Sequence, residues 1–392
     1  MRYLPHALRA TSITVTLACA VSAQTTFVVD SNNAPGTNFT DIQSAIDAAA
    51  AGDRIVVRGT GGYSGFDLDK PLSIVADGGA IIGGTGPIPA ISIHDLPPNT
   101  DTVVRGLTLF LVSPALGIDL RNNAGRLLMD NVGYFTSGSN TISDCSQVIL
   151  NGGRWIGGVT IERSSVSLSG VFVAGSGELP PSAAGPGLVL DQATVHLSRT
   201  IIDGGQAFPL GGTTSAEAIA MTNSTVIAGG TASHAISAGT APGATSGIPV
   251  ITGDGVLVLD PDIPLVPLNG AAATVGAFSV TNPQIPTLKV SGGNVGGTST
   301  VDLEAPPGES FFLLVGQPGN SVPLPAFGGE LWLNLAATAL ISAGTIDSTG
   351  TQQWSYPVPN TIAVLGVQVH WAALTGIANF RLTSPTGYGH GR

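Results

Sequence analysis

Residues 143–156 read SDCSQVILNGGRWI, and residues 162–175 read ERSSVSLSGVFVAG. Placed one under the other, Val148 meets Val166 and Leu150 meets Leu168. Three further segments enter the same frame: NNAGRLLMDNVGYF (122–135), DQATVHLSRTIIDG (191–204) and TNSTVIAGGTASHA (222–235). Leu127, Val148, Val166, Val195 and Val226 then share a column, at spacings of 21, 18, 29 and 31 residues. Two residues later stand Met129, Leu150, Leu168, Leu197 and Ala228. Two residues earlier stand the small Gly125, Ser146, Ser164, Ala193 and Ser224. One such unit cannot bury its own apolar face, but stacked units bury each other's. Short alternating strands, turn residues between them and a period of about two dozen residues describe the coils of a parallel β-helix. The unequal spacings read as insertions at turns, for instance Gly175 to Pro186 and Gly239 to Gly247.

Composition agrees with that reading. Gly and Pro number 54 and 27, which is 81 of 392 residues. That fraction is below the ~25–30% of low-complexity chains, and no Gly-X-Y period exists. Charged residues are 10%, with 25 acids against 14 bases and a net charge of −11. Lys occurs only at Lys70 and Lys289, and no basic run exists. Nucleic-acid binding needs several cations on one surface, so it is excluded as a role, as is attraction to an anionic membrane.

The first 23 residues read as a secretory signal peptide. Arg2 and Arg9 form its basic start, Ala10–Ala20 its apolar stretch, and Val21-Ser22-Ala23 its cleavage site. Secretion to the extracellular space or cell surface of a bacterium follows as the expectation. Cleavage removes Cys19, leaves Cys145 alone and precludes an intramolecular disulfide. The stretch 361–378 alternates and includes Gln368 and His370, so it reads as strand, not as a membrane span.

A strand at Thr26–Asp30 precedes one amphipathic helix at 40–50. Thr40 and Gln43 have the form of a capping box. Ile42, Ala45, Ile46 and Ala49 form one apolar face, and Gly52 ends the helix. This helix covers the open end of the solenoid, where unpaired edges invite aggregation. The solenoid is expected over 24–262. Residues 263–286, with Pro264, Pro267, Pro283 and Pro286, read as a linker. Residues 287–392 read as a small antiparallel β-sandwich, with strands near 289–291, 299–303, 311–316, 331–335, 340–344, 364–372 and 379–382. Residues 387–392 read as a frayed tail. The fold class is therefore all-β.

The segment Phe39-Thr40-Asp41-Ile42-Gln43-Ser44-Ala45-Ile46-Asp47-Ala48-Ala49, followed by Gly52-Asp53-Arg54-Ile55-Val56-Val57 and Gly62-Tyr63, resembles the opening of pectin lyase-like proteins. In that superfamily of right-handed parallel β-helices, such a stretch forms the capping helix and first coil. The resemblance is specific over about residues 38–80 and continues by coil periodicity to about 260. The C-terminal part resembles β-rich modules behind such solenoids in secreted proteins of planctomycete-like bacteria, through Pro306-Pro307-Gly308, residues 324–329 and residues 356–359. The superfamily implies many activities and also surface proteins without one, so fold alone assigns no reaction. Its hydrolases imply clustered Asp pairs and a His-Gly on adjacent coils. Here no Asp-Asp occurs, and the only His-Gly is His390-Gly391. Its lyases imply an Arg or Lys base beside Ca2+-binding acids.

One column invites chemistry: Asn123, Asp144, Glu162, Asp191 and Thr222, four residues before the aligned position. Stacked at ~4.8 Å, its carboxylates repel unless a cation intervenes. Asp144, Glu162 and Asp191 are thus a candidate Ca2+ site, with Arg163 or Arg199 as base in β-elimination on an acidic sugar. The competing reading is a solvated turn ladder, since Asp and Asn tolerate turn geometry. A second column holds Tyr134, Trp155, Val173 and Ile202. It reads either as an aromatic platform for sugar rings or as an inward core ladder. His196 alternates outward and reads as a solvated strand residue, and His94-Asp95 as a coil turn. Trp371 reads as sandwich core. No Cys/His spacing suits zinc, and no phosphate loop or nucleophile elbow occurs.

Two functions fit. The first is an exported, non-catalytic solenoid acting as a structural, adhesive or glycan-binding surface, with a polysaccharide or a cell-envelope or matrix component as partner. The second is a polysaccharide lyase or hydrolase using Asp144, Glu162, Asp191 and Arg163.

Overall fold

The computed structural model describes residues 24–391, apart from 60, 85–88, 112–116, 135–139, 177–183, 206–214, 231–233 and 241–245. The expected signal segment lies outside the described residues.

Parallel pairing joins Leu127 to Val148, Val148 to Val166, Val166 to Val195 and Val195 to Val226. This is the column read from the sequence, and its members are buried, as are those two residues later. The chain is a parallel β-helix whose coils lay strands on three faces. The first face stacks 54–58, 73–77, 101–105, 126–130, 147–151, 165–169, 194–198 and 225–229. The second includes 107–111, 154–157, 172–175 and 201–203. The third stacks 66–68, 91–94, 118–121, 140–143, 159–162, 188–191 and 219–222.

The corner between third and first faces repeats one device. Asp95, Asn122, Asp144, Arg163, Gln192 and Asn223 all take positive φ, between 45° and 55°. Asn and Asp enter this region most readily. The next residue points inward: Asn123, Cys145, Ser164, Ala193 and Ser224 are buried. Their polar atoms satisfy corner backbone. Asn123 accepts from the Leu96 N–H and donates to the Ile93 carbonyl. Ser164 accepts from the Cys145 N–H, and Ser224 from the Ala193 N–H. Cys145 is a core residue, its thiol pushed up to about 11 by burial.

The helix is Ile42–Ala48, with Ile42, Ala45 and Ile46 buried. Its cap differs from the expected box. Asp41, not Thr40, accepts from the Gln43 N–H, and the Gln43 side chain bonds Asp47 and the Asp67 N–H instead. Lys70 closes the other end by donating to the Ile46 and Ala49 carbonyls.

Residues 263–286 are mostly solenoid. Leu265–Val266 pairs with Ile236–Ser237, and Thr274–Thr281 pairs with 251–258, all parallel. Pro261 lies in a turn and Pro264 and Pro267 flank the strand Leu265–Val266, so the connection shrinks to 282–286.

The C-terminal module is a sandwich of two antiparallel sheets. One holds Thr287–Gly292, Thr298–Glu304 and Thr351–Pro357. The other holds Ser310–Leu324, Gly329–Thr345, Gln368–Gly376, Arg381–Leu382 and Thr386–Gly389. Leu288, Val301, Leu303, Phe311, Leu313 and Trp371 fill the space between them. The two strands expected at 331–335 and 340–344 are one. Of the expected frayed tail, 387–389 belong to the paired, buried strand Thr386–Gly389, and Arg392 lies outside the described residues.

That module covers the first face. Along Gln147–Asn151 every residue is buried, outward ones included. Trp332 packs on outward Leu128 and Ile149, and Leu365 on Val56 and Val75. Arg105 pairs with Asp130 at 2.8 Å and also donates to the Gly389 carbonyl and to Asn294. His196 does point outward, but into the module, where its ring meets Trp332 edge-on at 6.3 Å. It is 2% exposed, not solvated.

Leu168 has no exposed surface. Leu168→Ala is expected to cost ~2–5 kcal/mol in urea unfolding, because its neighbours above and below cannot collapse into the gap.

Burial pushes His196 down to about 4 and His370 to about 3. The unfolded imidazoles titrate near ~6.5. Between ~6.5 and 4 the unfolded chain therefore binds more protons, and stability falls as pH falls through that window. Buried Asp101 and Asp130, whose desolvation raises their pKa, act in the opposite sense. Comparison with His196→Gln isolates the imidazole: the variant's urea midpoint should fall less between pH 7 and 5. Equal slopes contradict the assignment.

Candidate functional site

The third face keeps its outward side clear. Two outward columns run along it in register. One is Asp67, Ser92, Asp119, Thr141, Thr160 and Val189; the other is His94, Arg121, Ser143, Glu162, Asp191 and Thr222. Inward neighbours such as Ile93, Leu120, Ile142 and Ile161 are core. Alternation thus sends alternate residues of each strand out at the coil spacing of ~4.7–4.9 Å.

Several charges on this face are paired locally, and its carboxylates outnumber its bases. His94 sits between two carboxylates, with Nε2 3.0 Å from Asp67 and Nδ1 2.8 Å from Asp95. The bond to Asp67 is the main reason its pKa is raised. Asp67 is held low; burial works against this, but hydrogen bonds from Ser92 and His94 outweigh it. Both ring nitrogens are engaged, so His94 presents no lone pair to a metal. Arg121 lies 3.4 Å from Asp119.

Arg163 grips Asp144 through two bonds of 2.7 Å and lies 3.6 Å from Glu162. That bond lowers the Asp144 pKa and raises that of Arg163 further. An exposed guanidinium held this way stays protonated and is a charge partner, not a proton acceptor. The expected acidic column is not one column. Glu162 and Asp191 pair in register, but Ser143, not Asp144, stands beside Glu162. Corner lengths differ: Asp144 lies four residues before Val148, whereas Arg163, at the equivalent corner, lies three before Val166. One residue shifts the side chain to another direction. Asn123 points inward and is buried. Among the described residues no three His, Cys, Asp or Glu side chains converge on a metal-sized space. Arg199 lies at the module interface, paired with Glu304.

Of the aromatic column, Trp155 is inward and 1% exposed, between Tyr134 and Val173 in register. It is core, so it offers no sugar platform; the side chain of Tyr134 lies outside the described residues. The sequence pointed to His94-Asp95 only as a coil turn, which the positive φ of Asp95 agrees with, and gave Asp67, Asp119 and Arg121 no role. Their signal was present in FDL and IDLR, where polar residues alternate with the core, but no motif drew attention to them.

No protein-family model matches this chain, and no curated protein does. Among solved structures, the full-length tailspike protein 2 of an Escherichia coli bacteriophage is similar over 90% of this chain and 61% of its own, at 12% identity and a TM-score of 0.26. The enzymatically active domain of a bacteriophage tailspike protein 2 is similar over 90% and 68%, at 12% identity and a TM-score of 0.22. The chain thus spans about three-fifths of the longer tailspike. Superpositions this loose carry no argument about activity, and the fold assignment stands on the strand register.

Arg163→Ala should return the Asp144 pKa upward toward ~3.9, read by carbon-detected NMR titration. It should leave the urea midpoint unchanged, since exposed pairs contribute little. A large fall in midpoint contradicts the picture of a solvated corner pair.

Proposed function

We propose that this chain is an exported, non-catalytic solenoid of the pectin lyase-like type that binds a polysaccharide or other cell-envelope or matrix glycan. The observation that carries the reading is the third face. Hydroxyl, carboxylate and guanidinium groups repeat there at coil spacing over a rigid core, with Asp67, Asp95, Asp119, Asp144, Glu162 and Asp191 outnumbering Arg121, Arg163 and His94. Such a surface offers hydrogen bonds to a long neutral ligand, and its excess of carboxylates disfavours an acidic one. Arg2, Arg9 and the apolar run behind them support export. Among the described residues no helix is long and apolar enough to cross a membrane.

The alternative is a polysaccharide lyase or hydrolase working at Asp144, Glu162 and Asp191, with Arg163 as base and Ca2+ as a candidate cofactor. The bidentate Asp144–Arg163 pair weighs against it, because it occupies both partners. A glycan array followed by turnover assays separates the two. The account expects binding that Arg121→Ala and Thr160→Ala each weaken severalfold, with no unsaturated product or new reducing end, with or without Ca2+. Turnover abolished by Asp144→Ala or Glu162→Ala would establish the alternative.

A further inference from the structure

A second polar cleft, away from the third face, is built by both halves of the chain. It encloses about 350 Å3 beside the first-face edge, at the lower end of the ~300–1,000 Å3 typical of ligand pockets. The solenoid supplies Asp101 and Arg126. The module supplies Asn334 and Gln368.

A donor and acceptor account shows what this cleft leaves open. Arg126 Nε bonds Asp101 Oδ1 at 2.6 Å, and Arg126 Nη1 bonds Asn320 at 2.9 Å. Asn334 accepts from the Ala336 N–H through Oδ1. Gln368 is used at both ends, by the Thr102 carbonyl and His370, so it fixes the wall. Among the described residues this leaves Asp101 Oδ2 as an acceptor, and Arg126 Nη2 and the Asn334 amide as donors. Asp101 and Arg126 cancel in charge. Arg54, deeper in the wall and buried, donates through Nη1 and Nη2 to the Ile362 and Ala363 carbonyls and Gln24, all neutral partners. Leu72, Val103 and Val367 line the same cleft with hydrocarbon.

An anion would meet the open carboxylate oxygen of Asp101, and a purely apolar ligand would strand the open polar groups. The geometry points to this cleft as a binding site for a neutral mono- or disaccharide unit. One ring hydroxyl donates to Asp101, neighbouring hydroxyls accept from Arg126 and Asn334, and ring C–H groups lie on the valines. The site rests on the glycan reading for its ligand class alone; its location and residues are separate from the third face.

The test uses the full mature chain and a panel of glucose, galactose, mannose, N-acetylglucosamine, maltose and cellobiose, followed by saturation-transfer NMR and calorimetry. At least one sugar should bind with one-to-one stoichiometry. Asp101→Asn and Asn334→Ala should each weaken it tenfold or more with an unchanged circular dichroism spectrum, while Arg121→Ala leaves it unaffected. If Asp101→Asn misfolds, exposed Asn334 still decides. No binding across the panel, or binding that both variants leave intact, overturns the cleft. Polysaccharide binding without small-sugar binding overturns the cleft and spares the third face; the converse overturns the third face alone.

Discussion

Everything in this chain depends on the parallel backbone ladder between successive coils. Each strand hydrogen-bonds the strand before and after it, so one coil's register dictates the next. Side-chain direction has a period of two, and a slip of one residue would turn core residues outward. The corner residues in positive φ reset that register at every coil. Buried Asn123, Ser164 and Ser224 hold the corner N–H and C=O groups that the ladder cannot reach. Length varies elsewhere, as the spacings of 29 and 31 residues show, yet the columns stay aligned through these insertions.

The ladder also explains how labour divides between faces. A stacked strand always buries its inward side, so the outward side decides its fate. On the first face that side carries Val56, Val75, Leu128 and Ile149 and needs a cover, which the C-terminal module provides. On the third face it carries Thr, Ser, Asp, Glu and Arg and needs none. The scarcity of charge follows from this economy. Arg105, Arg126 and Arg199 spend their charge at the module junction, and Arg121 and Arg163 on the third face.

The solenoid was legible in the sequence because its signal is redundant: Val148, Val166 and Val195 each repeat the same apolar step. The helix was legible through Ile42, Ala45 and Ile46. Its cap was misplaced by one residue because Thr40 and Asp41 are both competent caps. The candidate acidic column failed at two corners of different length, those of Asn122 and Asp144, a detail that counting from a strand cannot register. His196 and Trp155 show the same lesson from opposite sides. Alternation gave His196 its direction correctly, but its burial comes from a module more than a hundred residues away. Trp155 was open between platform and core until neighbouring coils placed it inward. The docked tail was illegible because Thr386–Gly389 has almost no apolar pattern and owes its order to pairing with Gln368–Trp371. One clue to the covered face was available: the runs LLM and VIL in 127–129 and 148–150 are apolar on both sides, as strands buried on both faces are.

Hydrogen–deuterium exchange, followed peptide by peptide on the full chain at pH 7, tests the clamped solenoid most directly. The account predicts that 147–151 on the first face and the last strand, 386–389, exchange slowly and together, with global unfolding. Rapid, coil-like exchange of 386–389 beside protected solenoid strands would contradict it.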